Sequence, residues 1–286
     1  MFSILGSIVG KTASYSPPGL ILSVMSAFLV DGKYVTAYRH EFIGTLLMIA
    51  CTFSAGKWIG VDNWQTAWLS HAIGVIAADR IGGGPHVNPA VSVSMWCLGK
   101  VDGYTELYVR VMGQMGGGLM AFPIYQYLAQ TLSWNPLGGP AFSYEEVDDA
   151  FLSEFLATIL LCIVIYVLNW ELNFGTHHYW IKQFLTAVAI RVLIEVFPTA
   201  GPAMNPMLGT SWAIFASGFD EDQWTSTGTI PNQFEHYFVY WIAPFLGAIV
   251  ASYLYVIYAG GTFFGTTLST GPFKKQPTSS DKKKSD

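Results

Sequence analysis

Charge is what this sequence has least of: Asp, Glu, Lys and Arg together make up 12% of its 286 residues, about half their share in soluble domains. Hydrophobic residues fill 52%, a ratio that a water-soluble core does not need and that implies a membrane protein. The net charge of −5 comes with no basic stripe, which excludes a nucleic-acid partner. Cysteine is scarce too. Cys51, Cys97 and Cys162 lie in apolar stretches without CxxC or metal-ligand spacing, so they are expected to be buried inert thiols. With no nucleophile, base or metal cluster near the apolar core, no enzyme, cofactor or metal is expected. A cleavable signal peptide is not evident, because the first apolar run, Gly19 to Val30, has a weakly charged lead and no small-residue cleavage site. That run is short for a span, so residues 1–37 are expected to form an N-terminal cytoplasmic or interfacial segment.

Six candidate spans follow: Tyr38 to Gly56, Trp64 to Ala78, Tyr104 to Ala129, Phe151 to Trp170, Tyr179 to Phe197 and Tyr237 to Tyr258. After the second and fifth stand two short loops, Gly-Pro-His86-Val-Asn88-Pro89-Ala90 and Gly-Pro-Ala-Met-Asn205-Pro206-Met207. Asn is a favoured N-cap and Pro suits the first helical position, so each loop opens a helix. Those helices stop at Gly99 and Gly218, which makes them about 15 to 18 Å long, half of a ~30 Å hydrocarbon core. Irregular backbone at membrane depth is tolerated only where it is buried in protein or lines a watery cavity, so two half-helices predict a lined pathway.

The segments repeat. Glu41-Phe-Ile-Gly-Thr-Leu-Leu in the first span recurs as Glu154-Phe-Leu-Ala-Thr-Ile-Leu in the fourth. Three spans is an odd number, so the two halves must be inverted relative to each other, with the site near the midplane. The expected fold is all-α and multi-pass, six transmembrane helices plus two half-helices in an inverted 3+3 repeat. Lysines and arginines set the orientation. With both termini cytoplasmic, Lys11, Lys33, Arg39, Arg80, Lys100, Arg110, Lys182 and the lysines from Lys274 to Lys284 fall inside and only Lys57 outside. The opposite loops carry Glu145, Glu146, Asp148, Asp149, Asp220, Glu221 and Asp222. This is a strong positive-inside asymmetry. Residues 261–286, polar and lysine-rich, are expected to be a disordered tail that sits against anionic lipid.

The paired Asn-Pro loops, the Glu-Phe-x-x-Thr starts, Gln114-x-x-Gly117 and Tyr240-Trp241-Ile242-Ala243-Pro244-Phe245-Leu246-Gly247 together resemble the major intrinsic proteins, the aquaporins and aquaglyceroporins. The resemblance covers about Tyr38 to Tyr258 and implies a channel domain over residues 38–260. It also implies a homotetramer with one pore per subunit, a membrane-lipid environment, and water or small neutral solutes as partners. Physically, two half-helices meeting head to head aim their positive dipole ends at the pore centre, where the Asn88 and Asn205 amides add donors. A water turning its oxygen to both amides breaks a proton wire, and the positive potential repels cations. The resemblance further implies that Glu41 and Glu154 hold loop amides so that carbonyls face the channel, that His86 offers its backbone to the pore, and that Gln114 supports the loop.

The sequence departs from the family after the second Asn-Pro, where Ala and then a filter Arg are usual but Met207 and Leu208 stand here. Gapless alignment from the two asparagines puts the remaining filter positions on Trp68, Leu193 and Pro202. The expected filter, Trp68, Leu193, Pro202 and Leu208, carries no charge. Arg191 and Glu195, one helical turn apart, leave two readings open: a buried ion pair, or an Arg191 that turns to the pore and supplies the missing positive charge. His177 and His178 are expected to be solvated loop residues.

Three functions remain compatible with the residues: a passive channel for water, glycerol, urea or similar solutes; a poorly conducting structural or junctional protein on the same fold; and an ion-coupled transporter. The last needs a carboxylate at a coupling site, for which Glu195 is the odd candidate. The glycines Gly113, Gly116, Gly117 and Gly118 permit close helix approach within or between subunits.

Overall fold

A computed structural model describes residues 32–52, 64–131, 139–217 and 228–269. The apolar run Gly19 to Val30, Lys11, Lys57, Gly218, Asp220 to Asp222 and the tail lysines lie outside the described residues. Its helices are α1 (Gly32–Thr52), α2 (Trp64–Gly82), α3 (Pro89–Cys97), α4 (Gly103–Thr131), α5 (Val147–Tyr166), α6 (His178–Val196), α7 (Pro206–Ala216) and α8 (Phe234–Ala259). A π turn over Val167–Glu171 extends α5, and another over Phe238–Ile242 interrupts α8. Each half of the chain therefore runs long, long, short, long, the order that the repeated Glu-Phe and Asn-Pro segments lead one to expect.

The two halves interlock. In the first, α1 packs on α2 and α4; in the second, α5 packs on α8 and α6. Each short helix also lies against the last long helix of the opposite half, α3 on α8 and α7 on α4. The closest crossings match across the repeat: a Cβ on Gly117 would stand 2.6 Å from the Phe42 carbonyl oxygen, and one on Gly247 would stand 2.6 Å from that of Phe155. A side chain at either position would push apart the pair of helices that carries a repeat's glutamate. Gly113 and Gly117 thus serve contacts of α4 with α1 inside one subunit.

Among the described residues two stretches, Tyr144–Glu171 and Phe234–Ala259, are long and apolar enough to cross a membrane by length and composition. The other long helices carry charges within them as well, Glu41 on α1, Asp79 on α2, Arg110 on α4 and Arg191 on α6, as α5 does at Glu154. Large apolar side chains such as Ile73, Tyr127, Leu152, Val196 and Leu254 point outward, the arrangement of helices whose surroundings are hydrocarbon. The protein is an integral, multi-pass membrane protein.

Two boundaries differ most from the expectation. Helix α1 is already formed at Gly32, ahead of Tyr38, where Lys33 pairs with Asp102 at 2.9 Å and Glu106 at 3.2 Å and ties this part of α1 to the start of α4. The tail does not become irregular at 261: β1 (Gly261–Phe263) and β2 (Thr266–Leu268) form a hairpin. Its two-residue turn is Phe264-Gly265, both at positive φ (46° and 79°), as a tight hairpin turn requires. The Phe264 N–H donates to the Cys97 carbonyl at the end of α3, and its ring packs edge-on to Trp96. Polar composition concealed these aromatic anchors.

Candidate functional site

Asn88 and Asn205 do what their loop positions predict. The Asn88 Oδ1 accepts from the N–H groups of Ala90 (2.8 Å) and Val91 (3.4 Å), and the Asn205 Oδ1 from that of Met207 (3.1 Å). With the oxygens used as caps, the amide nitrogens face across the repeat. Asn88 Nδ2 donates to the Met204 carbonyl at 2.7 Å, and Asn205 Nδ2 donates to the Val87 carbonyl at 2.9 Å. The N-termini of α3 and α7 are thereby locked together, and their positive dipole ends converge on one place.

Val87 and Met204 make this possible at a cost in backbone strain. They sit at φ 51° and 48°, a region that a β-branched or bulky residue avoids and that costs about 1–3 kcal/mol per residue. Each is held by a buried carboxylate. Glu41 accepts from the N–H groups of His86 (3.0 Å) and Val87 (2.8 Å), and Glu154 from those of Ala203 (2.6 Å) and Met204 (2.8 Å). The N–H of each strained residue goes to a glutamate and its carbonyl to the opposite asparagine.

The two supports are unequal. Glu41 also accepts from Arg110 Nη1 at 2.7 Å and Gln114 Nε2 at 2.8 Å. Gln114 continues to Ser92 Oγ, which is also 3.0 Å from His86 Nδ1, so Glu41, His86 and Gln114 form one network. Among the described residues Glu154, fully buried, accepts from the two backbone donors alone, since Tyr240 and Pro244 occupy the places on α8 that Arg110 and Gln114 occupy on α4. The Tyr240 hydroxyl instead donates to the Ala200 carbonyl at 2.9 Å, bracing the second loop. The sequence reading counts Arg110 only among the cytoplasmic-side charges and not as a partner of Glu41, although it lies one turn before Gln114 on the same helix face.

Met207, the residue that replaces the family's Ala, is fully buried in a cluster with Met48, Ile49, Phe122 and Tyr240. Its sulfur occupies the space that a side chain at position 118 would take. In the first repeat the corresponding pair is Ala90 and Ala248, which share a core cluster. A larger residue on the half-helix is matched by a smaller one on the long helix.

A cavity of about 730 Å³ passes the paired asparagines. At one mouth stand Asp79, Asn169, Trp170 and Lys182; toward the other lie His71, Arg191, Pro202 and Leu208. Pro202 and Leu208 therefore line the wall. Leu193 does not, because it turns into a core cluster with Ala157, Leu161 and Met204. Near that position the wall face of α6 is made by Ile190, Arg191 and Ile194. Trp68 is half-buried and stands off the wall, where His71, three positions on, takes its place on α2. Arg191 Nη2 donates to Glu195 Oε1 at 3.1 Å, so the pair forms, and Arg191 is at the same time a residue of the cavity lining.

The family model described as Major intrinsic protein matches residues 29–255. The chain belongs to that family. It is 29% identical over 216 residues to aquaglyceroporin-4 of Botryotinia fuckeliana, a match that covers 68% of this chain and 28% of that one. With the glycerol uptake facilitator protein of Haemophilus influenzae it shares 26% over 251 residues, covering 77% of this chain and 92% of the relative. The fold resembles that of the aquaglyceroporin from Plasmodium falciparum, with a TM-score of 0.60 at 21% identity, covering 78% of this chain and 95% of that one. As a major intrinsic protein it is a passive, channel-type protein for water or small solutes rather than an enzyme.

Proposed function

We propose that this major intrinsic protein conducts small uncharged solutes of the glycerol and urea kind, together with water, and excludes ions and protons at the two half-helix N-termini. The observation that carries the reading is the reciprocal pair of bonds from Asn88 to Met204 and from Asn205 to Val87. It fixes two amide groups and two helix dipoles at one point beside the cavity, where a passing solute meets donors and a positive potential. The relatives named as an aquaglyceroporin and a glycerol uptake facilitator support solute passage over strict water selectivity. The positive-inside pattern supports cytoplasmic termini, and membership supports a homotetramer in the lipid bilayer with one pore per subunit.

The test is glycerol and urea entry into proteoliposomes under imposed proton and sodium gradients, with Asn205→Asp as a control. The reading predicts entry that stops at equilibrium, ignores the gradients and is lost in the control. Accumulation above the external concentration would make the protein a coupled transporter. Background entry by folded protein would favour a structural or junctional role.

A further inference from the structure

His71 and Arg191 are two of the polar groups of the cavity wall that the support of the loops does not use. His71 is 3% exposed, lines the cavity, and leaves a buried Nδ1 without a hydrogen-bond partner. Arg191 lines it as well, with a buried Nε in the same condition. Helices α2 and α6, which carry them, pack against each other. Two residues that line one cavity and each keep a buried polar atom without a partner are not expected of a pair whose purpose is structural, since native folds satisfy nearly all such atoms.

The bond to Glu195 does not account for Arg191. It uses one donor at 3.1 Å, and the Glu195 side chain is 60% exposed. An Arg four residues before a Glu is also the weaker orientation of such a helical pair. The guanidinium has five donors in a fixed fork, and Nε is the one turned away from solvent. A neutral imidazole adds one donor and one acceptor. On the same cavity wall, Ile190, Ile194, Pro202 and Leu208 are apolar.

We propose that His71 and Arg191 form the solute-selecting constriction of this channel, built on two membrane helices in place of a loop arginine at position 208. It takes small neutral molecules that carry both donor and acceptor groups, hydroxyls and amides, and it repels cations through the Arg191 charge. The proposal rests on the channel reading above and adds the residues that select.

Full-length protein in proteoliposomes tests it, with glycerol and urea entry, osmotic water flux and proton leak measured on wild type, Arg191→Gln, His71→Leu and Glu195→Gln. Arg191→Gln is expected to lower the solute-to-water permeability ratio by about tenfold or more, the loss of roughly one hydrogen bond to a charged group, and to raise proton leak. His71→Leu, similar in bulk, is expected to lower the ratio without raising the leak. Glu195→Gln, which keeps the Arg191 charge, should match wild type in both. Wild-type ratios and leak in folded Arg191→Gln and His71→Leu would overturn the proposal while leaving the channel reading intact. Failure of both to fold beside a normal Glu195→Gln would also overturn it, by showing the pair to be structural. Background rates in wild type would instead sink the channel reading and this proposal with it.

Discussion

The sulfur of Met207 fills the space that a side chain at Gly118 would occupy, so the departure from Ala in the second Asn-Pro motif is answered on a neighbouring helix rather than in the pore. The two residues are a matched volume. Gly118→Ala is expected to cost about 1–3 kcal/mol through overpacking, and Met207→Ala about 2–5 kcal/mol through the cavity left behind. The double variant restores the small-small pairing of Ala90 and Ala248, so it should be more stable than the two losses added together. Thermal unfolding in detergent, followed by monodispersity, checks this; strict additivity would show that the two sites are independent.

The inequality of the two loop supports gives a second expectation. Glu41 is fully buried and bonded to Arg110, so Arg110→Met strands a buried carboxylate and should destabilise the fold by about 3–5 kcal/mol. Arg110→Lys keeps the charge and should recover part of that loss. The same melting assay reads both, and an Arg110→Met protein as stable as wild type would contradict the assigned support.

Much of this site was legible in the sequence because the chemistry that builds it is local and repeated. Asn before Pro announces a capped helix, and two Glu-Phe-x-x-Thr segments inside apolar spans announce buried carboxylates that need donors; both readings found their atoms. The wall of the cavity was less legible. A gapless count from Asn205 crosses the bent loop before α7 and arrives at Leu193, yet the helix turns that residue toward α5 and presents Ile190, Arg191 and Ile194 to the cavity. His71 carried no signal beyond being a polar residue in an apolar span, and the match between Met207 and Gly118 is visible only once α4 and α7 touch.

That correction is itself testable. Leu193→Ala should cost about 2–5 kcal/mol as a core truncation and leave the ratio of glycerol to water flux unchanged. Leu208→Ala, on the wall, should change the ratio. Flux measured on the two purified variants separates them, and the opposite pattern would return Leu193 to the filter.

The C-terminal hairpin ties the channel to its tail by one backbone bond, from Phe264 to the Cys97 carbonyl. Gly265, at φ 79°, permits the turn. Gly265→Val should open the hairpin and release that bond, costing about 0.5–1.5 kcal/mol while solute selectivity stays as it was. Hydrogen exchange at the Phe264 amide would report the release, and unchanged protection would place the hairpin's stability elsewhere.

Stopped-flow light scattering on proteoliposomes of the wild-type chain tests the central claim most directly. After an osmotic step with glycerol, vesicles holding the protein should shrink and then re-swell many times faster than protein-free vesicles, with the weak temperature dependence of passage through a preformed pore. Rates and temperature dependence equal to those of the bare bilayer, from protein verified as folded, would contradict it.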